Sequence, residues 1–171
     1  MYEDLLTCQK TSIQNTVGVS QMFEGYLRNT KLNLFDMEEN LAGWARYYGN
    51  ASVQTITEAR DLDILLDTTK SHKFIFNVEG QLVIGSISKK VNPKMLSHPV
   101  LAAREGGSRV ISAGYMYRYR NTVYLVNHSG HYRPSVGRLL PVSGFIRNNF
   151  GFNIEIVQAE TFKHGMLKFF R

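Results

Sequence analysis

One cysteine in 171 residues, Cys8, rules out an internal disulfide, and with it the cross-linked scaffold of small secreted domains. No apolar run reaches the length of a signal-peptide core or a membrane helix, and the first thirty residues carry Glu3, Asp4 and Glu24. The expectation is a chain made in the cytoplasm that meets no membrane. Carboxylates are also scarce: 14 acidic residues face 20 lysines and arginines, a formal net charge of +6. Such a field favours nucleic-acid, phosphate-bearing or acidic-protein partners. The cations are dispersed, however, with only pairs such as Lys89-Lys90 adjacent, so most of them solvate the surface rather than form a nucleic-acid tail.

At 43% hydrophobic content the chain is long enough for one well-filled core and short for two, so residues 1–171 are expected to form a single domain. Residues 1–50 would form its helical part and residues 73–158 its sheet core. Up to Tyr48 apolar residues recur at helical spacing (Ile13, Val17, Tyr26, Leu27, Leu41, Trp44, Ala45), which predicts two or three helices. Between Gly49 and Lys73 the pattern is ambiguous: Leu62, Ile64 and Leu66 alternate as in a strand, among charges that suit an exposed helix.

From Lys73 the signal sharpens. Phe74–Val78 and Gln81–Gly85 flank Glu79-Gly80, a two-residue hairpin turn. Val110–Tyr119 and Thr122–Asn127 flank Arg120-Asn121 in a second hairpin, rich in β-branched and aromatic residues. A helix from about Leu139 to Asn149 follows, with Pro141 either opening or kinking it and Gly151 past its end, and then a closing strand over residues 152–159. The fold class expected is α+β: N-terminal helices, an antiparallel sheet of two hairpins, a C-terminal helix and a closing strand.

The second hairpin delivers the chain into Asn127-His128-Ser129-Gly130-His131-Tyr132-Arg133-Pro134-Ser135, where chemistry is densest. His131 has the ordinary pKa for acid–base work near neutrality, and Tyr132 can orient a substrate. Arg133 offers a planar fork to an anion, and the Ser129-Gly130 backbone adds N–H donors. His98, in the link before the second hairpin, is a candidate partner for His131. The bland readings stand beside these: His131 and Tyr132 packing under the next helix, and Arg133 tying down its own loop. A zinc site from His98, His128 and His131 is disfavoured, because between Lys89 and Leu125 only Glu105 could orient an imidazole, so no metal is expected. Cys8 lies outside this region and suits a buried small hydrophobe.

The order Lys73-Phe-Ile-Phe, Leu82-Val-Ile-Gly, Lys89-Lys90, His98, Gly106-Gly107, Ala113-Gly114 and Ser129-Gly-His-Tyr-Arg-Pro resembles the core of plant IQ-motif-containing calmodulin-binding proteins. Similar Ser-Gly-His-Tyr segments occur in C-terminal domains of bacterial polymorphic toxins and effectors. The resemblance covers about residues 73 to 158. Ile13-Gln14 is followed by Asn15, Thr16, Val17, Gly18 and Val19 rather than by basic residues, so calmodulin is not an expected partner. After His98 stands Pro99-Val100 where the plant pattern has paired serines. The toxin-like version implies delivery into a host or competitor cell by a secretion system and a protein target there.

In that setting Ser86-Ile87-Ser88 and Gln158-Ala159-Glu160 match the order of an SxS and a QxE in arginine-specific ADP-ribosyltransferases. Glu160 would stabilise charge developing on the nicotinamide ribose, while Ser86, Ser88, Ser129, Gly130 and Arg133 hold NAD. Arg60 is the only upstream arginine in reach for that role. The leading expectation is thus an effector-like domain with a nucleotide pocket at Ser129–Arg133 that transfers ADP-ribose. Two rivals remain open: a metal-independent ribonuclease using His131 and His98, and a non-enzymatic binding module presenting Tyr115, Tyr117 and Tyr119.

Overall fold

The computed structural model describes residues 25–107 and 109–159. Cys8, Glu160 and the helical pattern before residue 25 lie outside them. The described residues form a six-stranded sheet, β1 (Ala51–Ile56), β2 (Lys70–Asn77), β3 (Leu82–Ser88), β4 (Val110–Tyr119), β5 (Thr122–Val126) and β6 (Asn153–Val157), in the order β1-β3-β2-β4-β5-β6. Helices α1 (Phe35–Tyr47), α2 (His98–Ala103) and α3 (Leu140–Phe150) pack on it. The fold is α+β, as the pattern of elements predicts.

Both hairpins form where turn chemistry places them. Gly80 sits at φ 79° between β2 and β3, and Arg120 at φ 55° between β4 and β5. The hairpins join through β2 and β4, which makes β2 the central strand, buried along His72–Asn77. Pro141 opens α3 at a position that needs no intrahelical N–H, and Gly151 closes it at φ 76°.

Three features depart from the sequence reading. The sheet is mixed: β6 runs parallel to β5, because α3 crosses over between them and returns the chain in the same direction. Residues 51–56 form an edge strand on β3. The Leu62–Leu66 alternation belongs to a 3-10 helix, Ala59–Leu66, whose three-residue repeat buries Leu62 and Leu65 and leaves Leu66 outside.

Strand alternation sorts the core into two layers. Phe74, Phe76, Leu82, Ile84, Met116 and Leu125 face Leu62, Leu65 and α3 residues Val142 and Ile146. On the opposite face Ile75, Val83, Ile87 and Ala113 meet Ala42 of α1, Val100 and Leu101 of α2, and Tyr132. The second layer is thin where α2 crosses. At Gly85 a Cβ would strike the Leu101 and Leu96 side chains, and at Gly114 one would strike the Val126 carbonyl oxygen and crowd Phe74. No helix of the described residues is long and apolar enough to cross a membrane.

The Gly114 contact is with backbone, which cannot rotate away. Gly114→Ala is therefore expected to lower unfolding free energy by about 3 kcal/mol in urea titrations, the upper end of overpacking costs.

Candidate functional site

The segment Asn127–Pro134 is a closed loop. The Arg133 N–H donates to the Ser129 carbonyl at 2.8 Å, the Tyr132 N–H to Ser129 Oγ at 3.2 Å, and Asn127 Nδ2 to the Pro134 carbonyl at 3.0 Å. That closure places Arg133 at φ 47°, left-handed backbone that a non-glycine residue adopts only when its surroundings hold it there. Ser129 and Tyr132 point inward; Gly130 and Arg133 are exposed. Burial raises the Tyr132 phenol to about 12, so it stays neutral among the apolar residues of the α1/α2 face.

His131 Nε2 meets Glu38 Oε2 of α1 at 2.6 Å, across 93 positions of sequence. A carboxylate only accepts, so Nε2 carries the proton and the lone pair of a neutral ring lies at Nδ1. The His131 side chain is 15% exposed and that of Glu38 8%. The second oxygen, Glu38 Oε1, is buried with no hydrogen-bond partner among the described residues. The His131 carbonyl accepts from both the N–H and Oγ1 of Thr30, at 2.8 and 2.9 Å. The loop is thus tied to the chain that leads into α1.

Lys73 stands on the same face of β2 as Ile75, beneath these groups. Its Nζ donates to the Pro93 and Leu96 carbonyls at 2.7 and 2.8 Å and lies 5.7 Å from the Tyr115 ring centre. Burial pulls its ammonium down to about 8, opposed by the Glu38 carboxylate. The Tyr115 ring also contacts His98 (6.0 Å), His128 (5.5 Å) and Tyr117 (6.5 Å, stacked). Burial raises the Tyr115 phenol to about 12.

The histidine pair expected from the sequence therefore approaches one region, in unequal states. His98 is buried at the start of α2, its Nε2 2.9 Å from the Gly114 carbonyl. Burial first, then the charges of Lys73, His131 and His128, push it down to about 3. It holds β4 to α2 as a neutral ring, buried from water. His128 and His131 retain partial access. Tyr119 lies outside this cluster, exposed with Arg120 over its ring at 5.2 Å.

The SxS residues are elsewhere. Ser86 Oγ is 2.7 Å from His72 Nδ1, and Ser88 Oγ accepts from the Lys90 N–H at 3.2 Å. By alternation both face the layer of Leu82 and Ile84, opposite the layer that holds Tyr132. Arg60 is exposed and paired with Glu58 at 2.9 Å. No group of three or more His, Cys, Asp or Glu among the described residues is placed to hold a metal ion.

Sequence reasoning missed Glu38 as a partner for His131. The available signal was a carboxylate on the same helical stripe as the small residues Ala42 and Ala45, facing the core. Lys73 had a signal too, a lysine opening the run Phe74-Ile75-Phe76 of a strand buried on both faces. No family model, curated protein or solved structure matches the chain.

A histidine whose folded pKa lies below its unfolded value binds a proton more readily when unfolded. Stability is then full above about pH 6.5 and is lost as pH falls toward 3. His98 is expected to contribute a slope of about 1.4 kcal/mol per pH unit across that window, with His72, also lowered by burial, adding to it. Urea titrations from pH 6.5 to 4 should show the slope reduced in His98→Gln. Separately, a double-mutant cycle of Glu38→Ala and His131→Ala should give a coupling energy of about 1–3 kcal/mol.

Proposed function

We propose that this chain is an effector- or toxin-like domain whose His131–Glu38 pair performs acid–base chemistry on a phosphodiester, with RNA as the substrate class. The observation that carries this reading is the 2.6 Å contact between a partly exposed imidazole and a buried carboxylate. Glu38 fixes the ring and stabilises the imidazolium once it forms, the role a carboxylate plays behind a catalytic histidine. Nδ1 of His131 is left as the base.

On an RNA chain, Nδ1 of His131 removes the 2′-hydroxyl proton and the 2′-oxygen attacks the adjacent phosphorus. The bond to the 5′-oxygen breaks, and that oxygen takes a proton from the imidazolium of His128. The products are a 2′,3′-cyclic phosphate and a free 5′-hydroxyl. Positive charge for the pentavalent phosphate comes from exposed Arg133 and from Lys31, whose Nζ lies 3.6 Å from the position of a Cβ on Gly130. The chain's +6 charge adds long-range attraction.

Transfer of ADP-ribose from NAD ranks below this reading, because Ser86 and Ser88 are engaged on the other face of the sheet. A binding module presenting Tyr115, Tyr117 and Tyr119 ranks below it as well, since Tyr117 is buried and Tyr115 is the hub of the Lys73–His98–His128 cluster.

Incubation of the purified protein with end-labelled RNA and, separately, with NAD discriminates these readings. RNA cleavage to cyclic-phosphate ends is expected, falling about 10²–10⁴-fold in His131→Asn and about tenfold or more in Glu38→Gln, with circular dichroism confirming the fold of each variant. Intact RNA with the wild-type protein would overturn the proposal, and NAD consumption would restore the transferase.

A further inference from the structure

Helix α1 has a second working face. While Glu38, Ala42 and Ala45 are buried, Trp44, Tyr47 and Tyr48 stand 54%, 77% and 67% exposed at its C-terminal end. Trp44 and Tyr48 stack at 5.7 Å and 15°, and Tyr47 stands across both, at 89° to Trp44 and 84° to Tyr48. With Glu39, Asn40 and Gly43 they line an open pocket.

Two observations indicate what it accepts. Elsewhere the molecule covers its aromatic rings with its own cations: Arg109 lies 4.7 Å from the ring centre of Tyr26, Arg118 4.6 Å from Phe152, and Arg120 5.2 Å from Tyr119. Among the described residues none covers Trp44, Tyr47 or Tyr48, and no salt bridge occupies Glu39. The ring faces and the carboxylate together make a negative spot on a basic chain. The second observation is Gly43. It lies mid-helix, where glycine is unfavourable, yet a Cβ there would meet nothing within 4 Å. The fold does not require this glycine. A bare backbone at the pocket floor lets a ligand group descend between Asn40 and Tyr47.

We propose that this pocket binds an arginine side chain of a partner protein. A guanidinium is planar and weakly hydrated, so it stacks on an open ring face while its edge donates to the Glu39 carboxylate. A quaternary ammonium needs rings that enclose it, and this surface is open. The site is independent of His131, on the opposite side of α1.

Trp44 is the chain's only tryptophan, so its emission reports this pocket alone. The probe is the peptide acetyl-Gly-Arg-Gly-amide, with citrulline and lysine counterparts. The arginine peptide should change Trp44 emission saturably at about 1–10 mM, as expected of one exposed stacking and ion-pair contact. The citrulline peptide should not, and the lysine peptide should bind at least fivefold more weakly. Glu39→Gln should weaken arginine binding about fivefold to tenfold. Gly43→Ala should abolish it while raising the melting temperature by about 2–4 °C, which separates binding from folding. Equal responses to arginine and citrulline, lysine binding as tight as arginine, or unchanged binding in Gly43→Ala would each overturn the proposal.

Discussion

A carboxylate hidden from water must find a donor or a cation, and Glu38 faces both. Its Oε2 accepts from the His131 Nε2–H at 2.6 Å, and its charge supports the ammonium of Lys73 beneath it. That arrangement couples three parts of the chain. Helix α1 supplies the acid, the loop after β5 supplies the imidazole, and the central strand supplies the lysine, whose two carbonyl partners fix the link before α2. Removing any one leaves a polar group buried without its counterpart, so the same contacts hold the fold and orient the candidate base.

Strand β2 makes this possible. Because it is central and buried on both faces, its alternation sends Phe74 and Phe76 to one apolar layer and Lys73 to the other side, where apolar cover is incomplete. Polar groups fill that space: Lys73, His98 and His128 gather around the Tyr115 phenol ring. His98 and Lys73 are held toward neutrality there by burial, and the groups that retain access to water, His128, His131 and Arg133, lie at the rim. Structural roles and the proposed chemical ones are thus divided by depth.

Much of this was legible in the residues, and the reasons for the remainder are physical. Glu79-Gly80 and Arg120-Asn121 are local turn signals, so both hairpins could be placed from sequence, as could the Pro141 start and Gly151 stop of α3. The dense segment from Asn127 to Ser135 is likewise a local signal, and the candidate site is read from it alone. Long-range pairings were not legible: the parallel return of β6, and the partnership of Glu38 with a histidine 93 residues away, depend on the assembled sheet. The scarcity of carboxylates near the motif misled in one respect, since the acid that orients His131 comes from a separate helix. The serine pattern at Ser86 and Ser88 carries no sign of which groups those hydroxyls meet: Ser86 Oγ lies 2.7 Å from His72 Nδ1, a contact that forms only when β2 and β3 pair.

Glu38 sets the protonation geometry of His131 by accepting from its Nε2–H. Two-bond ¹H–¹⁵N correlation spectra of the imidazoles, assigned with His131→Asn, test it directly. At a pH where the ring is neutral, the His131 tautomer should be protonated at Nε2 with a bare Nδ1, and Glu38→Ala, which removes the acceptor, should abolish that preference. A ring protonated at Nδ1, or a tautomer unchanged in Glu38→Ala, would contradict this.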